Sequence, residues 1–150
     1  MHTLKIEDNL DTELCKNIMD FHTKNPFARL LGIELIRLGN GYSGFIFQAE
    51  SDHTNPFGTI HGGVTATLGD IAMASALRTR GIQVVTAELT VNYVSPGNPG
   101  TQLEITGQAI HIGKTVCLAE FSVHDTEKNH LIATGRGIFV SRGKFLNTTD

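Results

Sequence analysis

The sequence predicts an α+β domain in which a curved antiparallel β-sheet wraps around a central α-helix. One segment, from Gly62 to about Arg80, has helical length and is apolar on nearly every side, so protein should surround it. A strand-like stretch precedes it, and four segments of period-two alternation follow it between turn-rich breaks. A sheet with one apolar face needs such a helix to cover that face.

Near the amino terminus Leu10, Leu14 and Ile18 recur at every fourth residue with Phe21 close behind, and Asp8 and Asp11 stand where acids favour a helix start. This predicts an amphipathic helix over about 9–23. "GYSGFIFQAES" mixes aromatic and β-branched residues after a turn at Gly39–Gly41 and reads as a strand. Residues 50–61 read as a loop, because Asp52, Asn55, Pro56 and Gly58 favour turns. The central helix should then run from Gly62 to near Arg80 with Gly81 as its left-handed cap. In "VVTAELTVNYV" strict alternation sets Val85, Ala87, Leu89, Val91 and Tyr93 on one face and Thr86, Glu88, Thr90 and Asn92 on the other. "TQLEITGQAIHI", "TVCLAEFSVHD" and "HLIATGRGIFVSR" follow, joined by "GK" and "TEKN", which predicts four consecutive strands in a meander.

The length of 150 residues suits a single domain spanning 1–150. Net charge is -3 with the basic residues dispersed, so no footprint for nucleic acid stands out and the expected partners are small molecules or further copies of the chain. The amino terminus lacks a basic region followed by an apolar run, and no apolar segment approaches the roughly 20 residues of a membrane span, which makes the cytoplasm the expected location. Cys15 and Cys117 are too few to announce a disulfide framework or a metal site.

Asp70 is the anomaly, a carboxylate within an apolar helix. It must be paired, hydrogen-bonded, protonated or open to a cleft. Upstream, Gly62 and Gly63 set two amides without side chains at the helix start, where free N–H groups and the positive dipole end attract an anion or a developing oxyanion. A tight packing turn accounts for the glycines equally well, and His61 alone reads as an ordinary loop histidine. Nine residues separate His61 from Asp70, roughly 13 Å along the axis and on opposite sides of the helix. One chain cannot bring both to one reacting atom. If both act in one reaction, a second copy must supply the acid across a two-fold axis.

Asn55, "HGG" at 61–63, Asp70 on a long helix and then "VVTAELTVNYVSP" together resemble the hotdog-fold acyl-CoA thioesterases of the phenylacetic-acid-pathway (PaaI-like) and thioesterase superfamily member 2 type. The likeness runs from about 27 to 142 and leaves out a helical extension over 1–25. It implies a hotdog fold, assembly into homodimers and commonly tetramers, and hydrolysis of an acyl-CoA thioester to free acid and coenzyme A. Residue by residue it implies that Asp70 acts as general base or nucleophile, that Asn55 helps position water or substrate, that Gly62 donates its N–H to the thioester oxygen with Gly63 beside it, that His61 supports this loop, and that Thr86 orients the acid. No cofactor is implied, coenzyme A being part of the substrate. For the nucleotide end it points to the turn His111, Gly113, Lys114, Thr115 and to Arg136, although an ordinary hairpin lysine and an exposed strand arginine read equally well.

Thioester hydrolysis needs an activated water or an acyl-accepting carboxylate and donors aimed at the oxygen that gains charge. Two rivals stay open: an acyl-thioester hydratase or dehydratase using a histidine and an acid, and a non-catalytic acyl-CoA-binding regulatory module. A metal site from Asp52, His53 and His61 matches none of the stronger zinc spacings. Met73, Leu77, Phe57 and Tyr93 are candidate liners of an acyl tunnel.

Overall fold

The computed structural model describes residues 2–7 and 9–145. Asp8, one of the two acids expected at the first helix start, lies outside them. Its companion Asp11 is the N-cap of helix α1 (Thr12–Lys24), its carboxylate accepting from the Leu14 N–H at 2.7 Å.

Before that helix lies a two-residue strand, β1 (Lys5–Ile6), and after it come helix α2 (Pro26–Leu31) and strands β2 (Glu34–Gly39) and β3 (Tyr42–Gln48). Neither α2 nor β2 was expected. Helix α2 begins with Asn25 as its cap and Pro26 in its first turn, a strong local signal over too short a length for periodicity to show. The loop at 50–61 carries a 3₁₀ turn at Ser51–His53 and a bridge between Thr54 and Ile60. Helix α3 (Gly62–Arg78) ends two residues before the expected boundary, because the Thr79 hydroxyl turns back onto the Ala76 carbonyl and accepts from the Gly41 N–H. Gly81 takes the expected left-handed conformation, φ 75°, in the turn that follows.

Strands β4 (Ile82–Tyr93), β5 (Gln102–Ile112), β6 (Val116–Asp125) and β7 (His130–Lys144) complete a seven-stranded sheet of order β1-β2-β3-β5-β6-β7-β4. All neighbours are antiparallel except β1 and β2. The expected meander of four consecutive strands is therefore corrected to three. Strand β4 does not pair with β5; it crosses to the far side of the sheet and pairs with β7. Alternation shows which face of a strand is buried and carries no information about which strand is its neighbour.

The sheet curls around α3. Leu68, Ala72, Met73, Ala76 and Leu77 of the helix are fully buried, together with Phe45, Leu103, Ile105, Ala119, Val123 and Phe139 from the strands. Glycines permit close approach at two points: a Cβ on Gly107 would stand 2.3 Å from the Ala72 carbonyl oxygen, and one on Gly69 would stand 2.6 Å from the Phe121 ring. Cys15 and Cys117 are free and buried. Among the described residues no helix is long and apolar enough to cross a membrane.

Candidate active site

At the amino end of α3, His61 is the N-cap and its Nδ1 accepts the Gly63 N–H at 2.9 Å. The ring closes the first helical turn. The N–H of Gly62, the first helical residue, has no acceptor within the helix, and no described residue supplies one. Tyr93 donates its hydroxyl to the Gly62 carbonyl at 2.7 Å, and a Cβ on Gly62 would stand 3.0 Å from the same oxygen. Only glycine fits there without a shift of the tyrosine.

Asn55 fixes the preceding loop. Its Oδ1 accepts from the Phe57 and Thr59 amides at 2.9 and 3.3 Å, and its Nδ2 donates to Thr59 Oγ1 at 2.9 Å. Nδ2 carries a second hydrogen for a ligand. Asn55, Gly62, Gly63 and Tyr93 line one cleft of about 480 Å³. The structure thus brings together four residues that the sequence spreads over 39 positions (55 to 93).

Asp70 lies on a different part of the surface. It is half-buried, and its Oδ1 accepts the Thr86 hydroxyl at 2.6 Å. This bond corrects the expected facing of Thr86. A β-bulge between Thr86 and Glu88 inserts Ala87 as an extra residue, so the helix-facing positions run Val84, Thr86, then Leu89 and Val91. Val85 is turned outward and is 51% exposed. Strict alternation would have aimed Thr86 away from the acid.

Behind Asp70 is a pocket of about 90 Å³, walled by Ile18, Phe21 and His22 of α1, Asn25, and Ala74, Ser75 and Arg78 of α3. Burial pushes the Arg78 guanidinium down to about 10, partly opposed by attraction to Asp70, so it remains a cation at neutral pH. His22 donates through Nε2 to the Ile33 carbonyl at 3.0 Å, and burial holds its imidazole below the usual histidine range, with the Ile33 bond opposing and Arg78 adding to the shift. Sequence reading missed Arg78 and His22. The sequence signal for Arg78 is its spacing, eight residues after Asp70 and turned from it by roughly 80° on the same helix.

Other expectations separate. His111, Lys114 and Thr115 are exposed on the β5–β6 hairpin, where Gly113 donates its N–H to the Val116 carbonyl at 3.0 Å and a Cβ would come within 2.4 Å of that oxygen. Arg136 projects from the outer face of β7, opposite Glu120 and Thr90. None of these residues lines either cavity described above. Met73 and Leu77 are core residues and do not line a tunnel, whereas Tyr93 lines the cleft and Phe57 is 91% exposed. Among the described residues no three His, Cys, Asp or Glu side chains gather as a metal site; His53 caps its own turn by accepting the Glu50 N–H at 2.9 Å.

Residues 57–132 match the family described as the Thioesterase superfamily. Human acyl-coenzyme A thioesterase 13 is 33% identical over 129 residues, covering 83% of this chain and 92% of that protein. The structure of the E. coli PaaI protein from the phenylacetic acid degradation operon superposes with a TM-score of 0.85 at 24% identity over 91% of this chain and 98% of that one. A Streptococcus mutans structure bound to acetyl CoA superposes with a TM-score of 0.73 at 23% identity over 76% of this chain and 91% of that one. The last two likenesses carry the hotdog fold alone, whereas the family match and the human relative establish that the chain belongs to the thioesterase superfamily.

Proposed function

We propose that the protein is an acyl-CoA thioesterase whose active site is completed by two copies of the chain. The observation that carries this reading is the Thr86–Asp70 hydrogen bond of 2.6 Å, which holds a carboxylate at the wall of a pocket instead of leaving it to bulk water. Family membership and a relative named acyl-coenzyme A thioesterase support the activity, and the acetyl CoA in a structure of the same fold supports a coenzyme A ester as ligand.

In this reading Asp70 is the general base toward water or the nucleophile toward the acyl carbon, with Thr86 fixing its orientation. The Gly62 N–H polarises the thioester carbonyl and binds the developing oxyanion, His61 holds the turn that aims it, and Asn55 positions water or substrate. Gly63 leaves room for the thioester. Lys114, His111, Thr115 and Arg136 are the candidates for the nucleotide phosphates, reached from the outer surface. No cofactor enters the scheme. His61 accepts a backbone N–H through Nδ1, which suits a loop support better than the proton-transfer histidine of a hydratase.

Strand β4 explains how two copies would meet. It is the terminal strand of the sheet, twelve residues long, with one edge unpaired among the described residues and with Val85 and Tyr93 more than half exposed. Such an edge invites strand pairing. Antiparallel pairing of two β4 strands about a two-fold axis near Leu89 and Thr90 sets Thr86 of one copy across from Tyr93 of the other. The Asp70 half-site then faces the Gly62 half-site twice over. Two such dimers can pair further as a tetramer. We read the unit as one domain over 1–150 with 1–25 as a helical extension, working in the cytoplasm, where thiols such as Cys15 and Cys117 stay reduced.

The test is thiol release from a panel of aryl and medium- to long-chain acyl-CoA esters, native protein against Asp70→Asn. Native turnover with a loss of at least about a hundredfold in the variant is expected. Binding without thiol release would replace this reading with the regulatory one, and water addition across an enoyl thioester would replace it with the hydratase.

A further inference from the structure

Asp70 shares its pocket with a half-buried cation whose hydrogen-bonding capacity is incomplete. Arg78 ends α3, about 12 Å along the axis from Asp70, and its long side chain reaches the same pocket. Its guanidinium carbon stands 4.5 Å from the centre of the Phe21 ring and 5.9 Å from that of Phe145, and these two rings pack edge to face at 5.4 Å. Arg78 Nε is buried and has no acceptor. A buried donor without an acceptor is costly, and none is supplied among the described residues.

Asp70 and Arg78 attract each other without forming an ion pair within 4.0 Å. The space between them is the pocket itself, about 90 Å³ and bordered by the polar side chains of Ser75, His22 and Asn25. At roughly 30 Å³ per molecule it has room for about three waters, with enough polar neighbours to hold them. His22 does not compete for the carboxylate, because its Nε2–H is given to the Ile33 carbonyl.

We infer that Arg78 is a positioning residue of the Asp70 half-site: through water held in the pocket it grips the side of the carboxylate that Thr86 leaves free, and α1 is the wall that retains that water. The inference rests on the reading of Asp70 as the catalytic carboxylate. One hydrogen bond, from Thr86 to Oδ1, leaves the carboxylate able to turn about its last torsion; a second grip from behind fixes it. The attraction between guanidinium and carboxylate acts across a mostly enclosed space, where it is stronger than in bulk water. The extension over 1–25 thereby gains a task, since Ile18, Phe21 and His22 close the pocket and Phe21 also clamps the guanidinium.

A purely structural arginine at a helix end would favour the helix dipole and nothing more. Kinetics of the full-length chain separate the two, using thiol release from a saturated acyl-CoA ester with Arg78→Met, Arg78→Lys, Ala74→Val and Asp70→Asn side by side. Arg78→Met should lower kcat about ten- to a hundredfold with KM within about twofold, and Arg78→Lys should recover kcat to within about threefold of native. Ala74→Val leaves Arg78 in place but pushes two methyl groups into the water space, and should lower kcat about tenfold. Native kcat in Arg78→Met, or a rise in KM alone, overturns the inference. Should Arg78→Met fail to fold, Ala74→Val decides: native kcat there overturns the water bridge, and the expected fall sustains it. Asp70→Asn with full turnover would instead overturn the parent reading, while an inactive Asp70→Asn beside a fully active Arg78→Met removes this inference alone.

Discussion

The two ends of the proposed site differ in what they are made of. At the amino end of α3 the working group is a backbone N–H, held by a capped turn and a loop tied to the Asn55 side chain, and it opens on a cleft of about 480 Å³. At Asp70 the working group is a side chain, gripped by Thr86 and backed by a pocket of about 90 Å³ walled in part by the half-buried Arg78. A backbone donor has no rotamer to hold, so it stays aimed even where solvent reaches it. A carboxylate has two torsions and needs walls. Each half also lacks what the other supplies: the first has donors and no base, the second a base and no backbone donor.

The sharpest way to break this comparison is to remove the backbone donor alone. Proline is tolerated at the first helical position, so Gly62→Pro deletes the N–H while leaving the helix start in place. It should lower kcat about a hundred- to a thousandfold, whereas Gly62→Ala, which retains the donor and meets the same Tyr93 hydroxyl, should stay within about tenfold of native. Equal losses in both would mean that packing against Tyr93, and not the donor, governs this half.

Mixing tests whether the halves come from different copies. After subunit exchange between Gly62→Pro and Asp70→Asn, half of randomly assorted dimers carry one intact site, and activity should return to about a quarter of native. No recovery from a mixture shown to exchange would confine both halves to one copy. A smaller effect belongs to the Thr86 hydroxyl. Thr86→Val should lower kcat about tenfold, equivalent to the roughly 1.5 kcal/mol of a hydrogen bond to a charged group, and an unchanged kcat would show that the walls alone orient Asp70.

The smallest effect is on stability and touches only the enclosed half. His22 is held below its ordinary value of 6.5, so the unfolded chain takes up a proton that the folded chain refuses. Its contribution to stability is therefore complete above about pH 6.5 and falls as pH drops from there toward the folded-state value. Melting temperatures between pH 7.5 and 5 should decline more steeply in the native protein than in His22→Gln, which keeps a donor for the Ile33 carbonyl. Parallel curves would assign the decline to other groups.

Much of this architecture was legible in the residues. An apolar segment of helical length predicts a surrounded helix, and the alternation in β5 sets Leu103 and Ile105 together on the face that is buried. The path of β4 was not legible, because pairing with β5 or with β7 buries the same face. Nor was the bulge at Ala87, since one extra residue leaves no mark in composition yet reverses the facing of Thr86. Within the site, Asp70 declared itself by being out of place, and the glycines by their position at a helix start. Tyr93, a candidate liner from the sequence, does line the cleft, whereas His22 joins the smaller pocket through tertiary packing that spacing along the chain does not record.

The glycine at 107 has one more consequence. With the strand backbone pressed against the helix at Ala72, and Gly69 seating the Phe121 ring, α3 is indexed against the sheet like a notched rod and cannot slide by even one methyl group. The interval from Gly62 to Asp70 thus becomes a fixed ruler, and in the proposed dimer, whose two-fold axis would copy that ruler in reverse, any change in its length would open or crush both proposed sites together.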